Sequence, residues 1–302
     1  MIPVDLRGDG KIGFVQPYQA FDPATKTVLK KFAVYEQVQP LPTPKPPLSP
    51  IIESISVANG GSDIAQNTWI VIKGRNLVPT NTPAAGVDWS SSPEFASGRM
   101  PTQLGEYPAT VTVNNKPAYL YFFCSAATSS ICTTDQINVL APLDSTLGAV
   151  PVVVSNGVSK SAAFTVNMRT ATPSFPLVGA TPYVVATHAD YSLIGPASLS
   201  VPGYPFTPAK PGETIVFYAF GFGLPTTSLA DGSSSQSGLL PTPPVIQIGG
   251  AAATVSFAGL ISPGLYQFNV ILPGTLSDGD NVVTCTYNGF ASPFGDLIAI
   301  HH

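Results

Sequence analysis

The chain has 302 residues, 44% hydrophobic and only 10% charged, with a formal net charge of −4. That length favours two domains with real cores. The charge pattern excludes nucleic acid and anionic membranes as partners, because both need clustered Lys and Arg and the longest basic run is Lys30-Lys31. The 32 Pro and 27 Gly are spread along the whole sequence. A proline inside a helix costs about 3 kcal/mol, so few helical windows remain and an all-β fold is expected. No stretch reaches the ~18 apolar residues of a membrane helix. The first residues, MIPVDLRGDGK, lack the charged and apolar regions of a signal peptide.

Residues 1–38 form a segment of mixed character. Within it, QAFDPATKTVLKKFAVYEQV is a candidate short helix or hairpin. DLRGDGKIG resembles half of a calcium loop, with Asp5 and Asp9 at ligand positions and Gly10 at the sharp turn. Arg7 and Gln16 stand where further oxygen ligands belong, and a plain Asp/Gly turn is the competing reading. Residues 39–50, QPLPTPKPPLSP, favour an extended spacer between domains.

From residue 51 onward, short alternating runs end in turn signals. IIESISVANGG and TWIVIKGRNL read as strands. A long polar insertion follows, about residues 79–106. ATVTVNNKPAYLYFF is a hairpin around Asn114-Asn115, DQINVLAP a strand, and VPVVVSNGVSKSAAFTV a hairpin around Asn156-Gly157. The same order recurs in TIVFYAFGFGL, PPVIQIGGAAATVSFAG, LYQFNVILPG and NVVTCTYNGFASPFGDLIAI. Pairing Gly74 with Gly221, Val113 with Ile248 and Gln136 with Gln267 gives offsets of 147, 135 and 131 by subtraction. The first copy then carries 147 − 135 = 12 extra residues in its insertion and 135 − 131 = 4 around its cysteines. The duplication predicts two tandem immunoglobulin-like β-sandwiches, at 51–168 and 169–300, with His301 and His302 as a tag remnant. Phe122, Phe164, Phe217, Phe257 and Phe268 alternate with polar or small residues and read as core.

The first copy resembles the IPT/TIG family of immunoglobulin-like domains, through PIIESIS (50–56), VIKGRNL (71–77), ATVTVNNKPA (109–118) and VPVVVSNGVSKSAAFTV. Leu77 and Asn115 stand where that family usually has Phe and Gly. The second copy is similar to the paralogous C-terminal domain of secreted acidobacterial proteins. HADYSLIGPAS (188–198), AKPGETIVFYAFGFGLPT (209–226), LPTPPVIQIGGAAATVSFAG (240–259) and GLYQFNVILPG (264–274) carry that resemblance. It implies a secreted or cell-surface, stalk-like module and no particular reaction.

The candidate chemistry is sparse. Cys124 and Cys132 flank a small polar loop and read as either a disulfide or two buried thiols, while Cys285 reads as core. His188, the only internal histidine, has Asp190 nearby, but the sequence has no G-x-S-x-G turn to hold a nucleophile. A surface histidine is the competing reading. Asp278 and Asp280 share a turn and are candidate calcium ligands, against a solvated turn. The insertion brings Asp88, Glu94 and Glu106 together with Trp89, Phe95 and Tyr107. Trp89, Phe95, Glu94 and Tyr107 are the candidate ligand-binding residues, since aromatics with carboxylates suit a sugar. The leading expectation is a non-enzymatic, extracytoplasmic module binding an extracellular glycan or protein. The alternative is a small, calcium-assisted hydrolase of an ester, lactone or glycoside, using His188 and Asp190.

Overall fold

The computed structural model describes residues 2–4, 13–35 and 48–302. Asp5 and Asp9, and most of the proline-rich spacer, lie outside the described residues. Residues 1–47 and 48–302 form separate compact units. The first holds a three-stranded antiparallel sheet of β1 (Ile2–Val4), β2 (Gly13–Asp22) and β3 (Thr27–Tyr35). The helix-or-hairpin candidate is thus a hairpin, with Asp22 Oδ1 accepting from Ala24 N–H at 2.9 Å in its turn.

Residues 48–302 are all β. Among the described residues the only helical turns are two short 3-10 segments, Pro93–Ser97 and Ala197–Leu199. The first sandwich comprises β4 (Ile51–Val57), β5 (Ile64–Ala65), β6 (Trp69–Arg75), β7 (Val87–Asp88), β8 (Thr110–Val113), β9 (Lys116–Pro117), β10 (Tyr119–Cys124), β11 (Asp135–Leu140), β12 (Gly148–Ser155) and β13 (Phe164–Arg169). Its sheets run β4-β6-β11-β10-β7 and β5-β13-β12-β8-β9. The second comprises β14 (Ala186–His188), β15 (Leu193–Ile194), β16 (Phe206–Thr207), β17 (Thr214–Ala219), β18 (Gly238–Leu239), β19 (Val245–Ile248), β20 (Ala251–Ala252), β21 (Thr254–Ser262), β22 (Leu265–Ile271), β23 (Gly279–Tyr287), β24 (Phe290–Ala291) and β25 (Leu297–Ile300). Its sheets run β16-β15-β14-β17-β22-β21-β18 and β20-β19-β23-β24, with β25 also on β23.

Each sandwich closes over its own core. Ile70, Ile72, Ile137 and Val139 of one sheet meet Val111, Val113, Val152 and Val166 of the other. Phe217, Phe268, Ile248 and Val283 do the same in the second sandwich. Alternation drives this: along β6 the inward Ile70 and Ile72 are fully buried while Trp69, Val71 and Lys73 face outward. Burying each such side chain contributes roughly 1.5–3 kcal/mol. Of the five aromatics read as core, only Phe217 and Phe268 are buried; Phe122, Phe164 and Phe257 are half-exposed because their phase or a bulge turns them out.

The duplication appears in the ladders. Ile72 faces Ile137 and Phe217 faces Phe268, so β6 and β17 are offset by 217 − 72 = 145 while β11 and β22 are offset by 268 − 137 = 131. This corrects the sequence pairing of Gly74 with Gly221 by two residues, leaving 145 − 135 = 10 extra residues in the insertion. The Asn114-Asn115 turn has φ of 49° and 63°, matched by 57° and 81° at Gly249-Gly250. After each turn the chain changes sheet: β9 stays with β8, whereas β10 joins β11.

The sandwiches are docked, not strung apart. Asn59 Nδ2 donates to Phe175 O at 2.9 Å and to Asp296 Oδ1 at 3.2 Å. Trp69 Nε1 donates to Pro263 O at 3.1 Å. Met100 N–H donates to Gly232 O at 2.8 Å, and Ser234 N–H to Gly98 O at 2.9 Å. Tyr119, buried beside Asp231, has its phenol pushed up to about 12, by burial first and then by that carboxylate.

Candidate functional site

An apolar cleft of about 380 Å³ opens where the outer face of the first sandwich meets the second. Three strands build it. Trp69 and Val71 stand on β6, and Asn138 on β11. On β10 a bulge between Leu120 and Phe122 breaks the alternation and lets Tyr121 face out, 43% exposed. Trp89 follows β7, where its N–H donates to Tyr121 O at 3.0 Å, and Asp88 Oδ1 accepts from Ser90 N–H at 2.8 Å to fix the turn. The rings pack edge to face, with centroids 5.4 Å apart for Trp69 and Trp89, 5.5 Å for Trp69 and Tyr121, and 5.1 Å for Trp89 and Tyr121.

The second sandwich supplies the other wall through Phe220 and the hairpin tip Ser262–Leu265. Gly264, at φ +67°, touches Trp69 directly. A Cβ there would lie 2.5 Å from Leu140 Cδ1 and 2.8 Å from Trp69 Nε1. No charged side chain lines the cleft. Asn138 Oδ1 accepts from Gln136 Nε2 at 2.9 Å, and no described residue accepts from Asn138 Nδ2.

The four candidate binding residues do not converge. Trp89 lines the cleft, and Phe95 packs behind it at 5.2 Å without lining it. Tyr107 turns the other way and packs on Phe123 at 5.8 Å, against the first core. Glu94 sits on the 3-10 turn, its carbonyl accepting from Ser97 Oγ and Arg99 N–H; its Oε2 is buried with no described partner. Glu106 is exposed. The end of the insertion, Gly98–Met100, clamps the second sandwich. Sequence reasoning missed Trp69, Tyr121 and Asn138. Trp69 was legible, since TWIVIKG places Trp, Val and Lys on one face. Tyr121 was not, because the bulge that turns it out leaves no mark in the sequence.

The histidine site also needs correction. Asp190 Oδ1 accepts from Ser192 N–H at 3.0 Å and Ser192 Oγ at 2.6 Å, and these bonds, the hydroxyl's first, hold its carboxyl below the usual range. It makes no hydrogen bond to His188. The imidazole instead joins Glu213 Oε1 through Nδ1 at 2.5 Å and Thr207 Oγ1 through Nε2 at 2.9 Å. Asp278 and Asp280 part company too. Asp280 accepts from Tyr183 Oη at 2.9 Å, whereas Asp278 meets His301 and His302. Among the described residues no group of three or more His, Cys, Asp or Glu could hold a metal. Cys124 and Cys132 form a disulfide, their Cα atoms 6.3 Å apart. Buried Asp135 ties that loop down: Oδ1 accepts from Ala126 N–H at 2.8 Å and Oδ2 from Leu77 N–H at 3.0 Å. The Cys285 thiol is pushed up to about 12 by burial.

No protein-family model matches the chain, and no curated protein matches it. Among solved structures, the SGBP-B of the Bacteroides ovatus mixed-linkage glucan utilization locus, in complex with a mixed-linkage heptasaccharide, is similar at 12% identity and a TM-score of 0.34, over 97% of this chain and 53% of that one. The SGBP-B from a complex xyloglucan utilization locus in Bacteroides uniformis is similar at 12% identity and a TM-score of 0.21, over 82% and 49%. Domains 5–6 of the S-layer protein SbsC are similar at 11% identity and a TM-score of 0.22, over 83% and 98%. The chain spans about half the length of the two Bacteroides chains. Likenesses this distant carry no argument, and the fold is read from the strand pairing itself. No helix among the described residues is long and apolar enough to cross a membrane.

Proposed function

We propose that this chain is a non-enzymatic, extracytoplasmic binding module of IPT/TIG-like and acidobacterial C-terminal-domain-like sandwiches, which recognises a neutral glycan in the Trp69, Trp89 and Tyr121 cleft. The observation that carries this reading is the cleft's composition: four aromatic side chains, three of them from the first sandwich, one amide with a spare donor, and no charge. Sugar rings present apolar C–H faces to aromatic side chains and hydroxyls to a few fixed polar groups, the usual make-up of a small-molecule site. An acidic sugar would find no cation there. The disulfide favours an oxidising compartment. Calorimetry against panels of neutral and acidic oligosaccharides tests the reading. Neutral chains should bind and Tyr121→Ala should weaken them; binding to acidic chains only, or to a protein only, would contradict it.

The hydrolase reading retains one observation, the line from Thr207 hydroxyl through His188 to Glu213. The three groups join β14 and β16 to the turn before β17, which makes them a structural tie. An ester and lactone panel with His188→Ala decides: activity lost in the variant would establish the hydrolase.

A further inference from the structure

The two sandwiches differ at one strand edge. In the second, Leu297 N–H donates to Pro182 O at 2.8 Å and Leu297 O accepts from Val184 N–H at 3.0 Å. Two segments therefore cover β25 in parallel, Pro182–Val184 with Tyr183 opposite Leu297, and the stretch at Ala209 opposite Ile300. The equivalent strand of the first sandwich is β13. Val152 faces Val113 and Val283 faces Ile248, an offset of 283 − 152 = 131 for β12 and β23. Val282 pairs with Leu297 and Pro151 with Thr165, so Thr165 answers to Leu297 and Met168 to Ile300.

Among the described residues no segment covers β13 in the way Pro182–Val184 covers β25. β5 pairs only with Met168 and Arg169, and no described residue pairs with the outer edge at Phe164–Asn167. Because the Leu297 N–H and C=O both point away from β23, those of Thr165 point away from β12. Pro151, opposite Thr165, has no N–H to offer it in any case. A groove of about 310 Å³ follows this stretch, lined by Ser62, Asp63 and the four consecutive residues Phe164 to Asn167. Consecutive strand residues point to opposite faces, so a groove touching all four lies along the edge. The stretch carries no Pro, Lys or other charge to repel an incoming strand. At its end Asp63 is held by Arg169 Nε at 2.8 Å and Asn167 Nδ2 at 3.3 Å.

We propose that the outer edge of β13 at Phe164–Asn167 docks an extended peptide strand of another protein, in parallel register, through main-chain hydrogen bonds to Thr165. The second sandwich shows the geometry of such an occupant in its own Pro182–Val184. Half-buried Phe164 offers an apolar contact to the incoming strand. Four edge residues per copy bury far less than the ~1,200–2,000 Å² of a stable interface, which disfavours a symmetric dimer and suits a flexible segment.

The probe is a synthetic peptide of the covering sequence, Thr-Pro-Tyr-Val-Val-Ala (residues 181–186). Amide NMR of the full chain, titrated with it, should shift and protect Thr165 before any other residue. Methylating the peptide nitrogen of its first valine, the donor in the second sandwich, should weaken binding by about tenfold. That control leaves the protein unchanged, so it cannot act through misfolding; Thr165→Pro is the complementary variant. No response at Thr165 at millimolar peptide, or equal binding of the methylated peptide, would overturn the proposal. So would a concentration-dependent dimer lost in Thr165→Pro, since the occupant would then be a second copy.

Discussion

On the outer face of the first sandwich, Trp69, Asn138 and Tyr121 stand on β6, β11 and β10. At the matching ladder positions of the second stand Thr214, Asn269 and Ser256. The backbones agree closely: both copies bulge after the same position, and Gln136 bonds Asn138 at 2.9 Å as Gln267 bonds Asn269 at 2.9 Å. The amide pair therefore belongs to the shared fold, and the rings do not. The shared fold closes equally well with Thr and Ser there; Trp69 also ties the joint through Pro263 O, whereas Tyr121 stands 43% exposed, so the proposed ligand binding is tested at Tyr121.

The sharpest way to break this comparison is to erase the face in one copy. Tyr121→Ala should weaken neutral-oligosaccharide binding by about tenfold to a hundredfold, as loss of one stacking contact implies, while Ser256→Ala leaves it unchanged by calorimetry. Next is the cysteine loop, which only the first copy has. Reducing the disulfide should cost about 2–3 kcal/mol for so short a loop, read as a lower denaturation midpoint, with the second sandwich's core unaffected.

A smaller effect is expected at the joint. Gly264→Val places a side chain against Trp69 at a positive φ and should destabilise by roughly 1–3 kcal/mol, with a change in tryptophan emission. The smallest effects distinguish two buried carboxylates. Burial alone would raise Asp144, but Asn114, the amide and hydroxyl of Thr146, and Lys116 outweigh it and hold the group at about 2. With its folded value depressed, Asp144 contributes stability above the ordinary value of 3.8, lost as pH falls through about 2. Asp144→Asn should remove on the order of 1–2 kcal/mol at neutral pH and flatten the acid limb of a pH melt. Asp296 has the opposite sign. Burial raises it against the opposing bond from Asn59, so its ionisation opposes folding as pH rises, and Asp296→Asn should stabilise slightly at pH ~8.

Much of the fold was legible. Alternation placed the strands, and Asn-Asn, Gly-Gly and Asn-Gly marked the turns in both copies. Pairing register was not legible to better than two residues, because a strand shifted by two keeps the same face inward. The site was half legible. Trp89 was found from its loop, but Tyr107 and Phe95 share that loop and pack elsewhere, a choice made by tertiary contacts. His188 drew attention to Asp190, two residues away, when its partner is Glu213, brought beside it by the pairing of β14 with β17. The docking of the sandwiches rests on backbone carbonyls such as Pro263 and Gly232, which no residue pattern reveals.

The chain has two tryptophans, and both line the cleft. Their emission therefore reports on this site and on the joint that Trp69 makes with Pro263. We predict that titrating the full chain with neutral oligosaccharides gives a saturable change in tryptophan emission, moved to about tenfold or higher concentration in Tyr121→Ala and unmoved in Ser256→Ala. A glycan that binds by calorimetry while leaving both indoles unchanged would place recognition elsewhere and contradict the account.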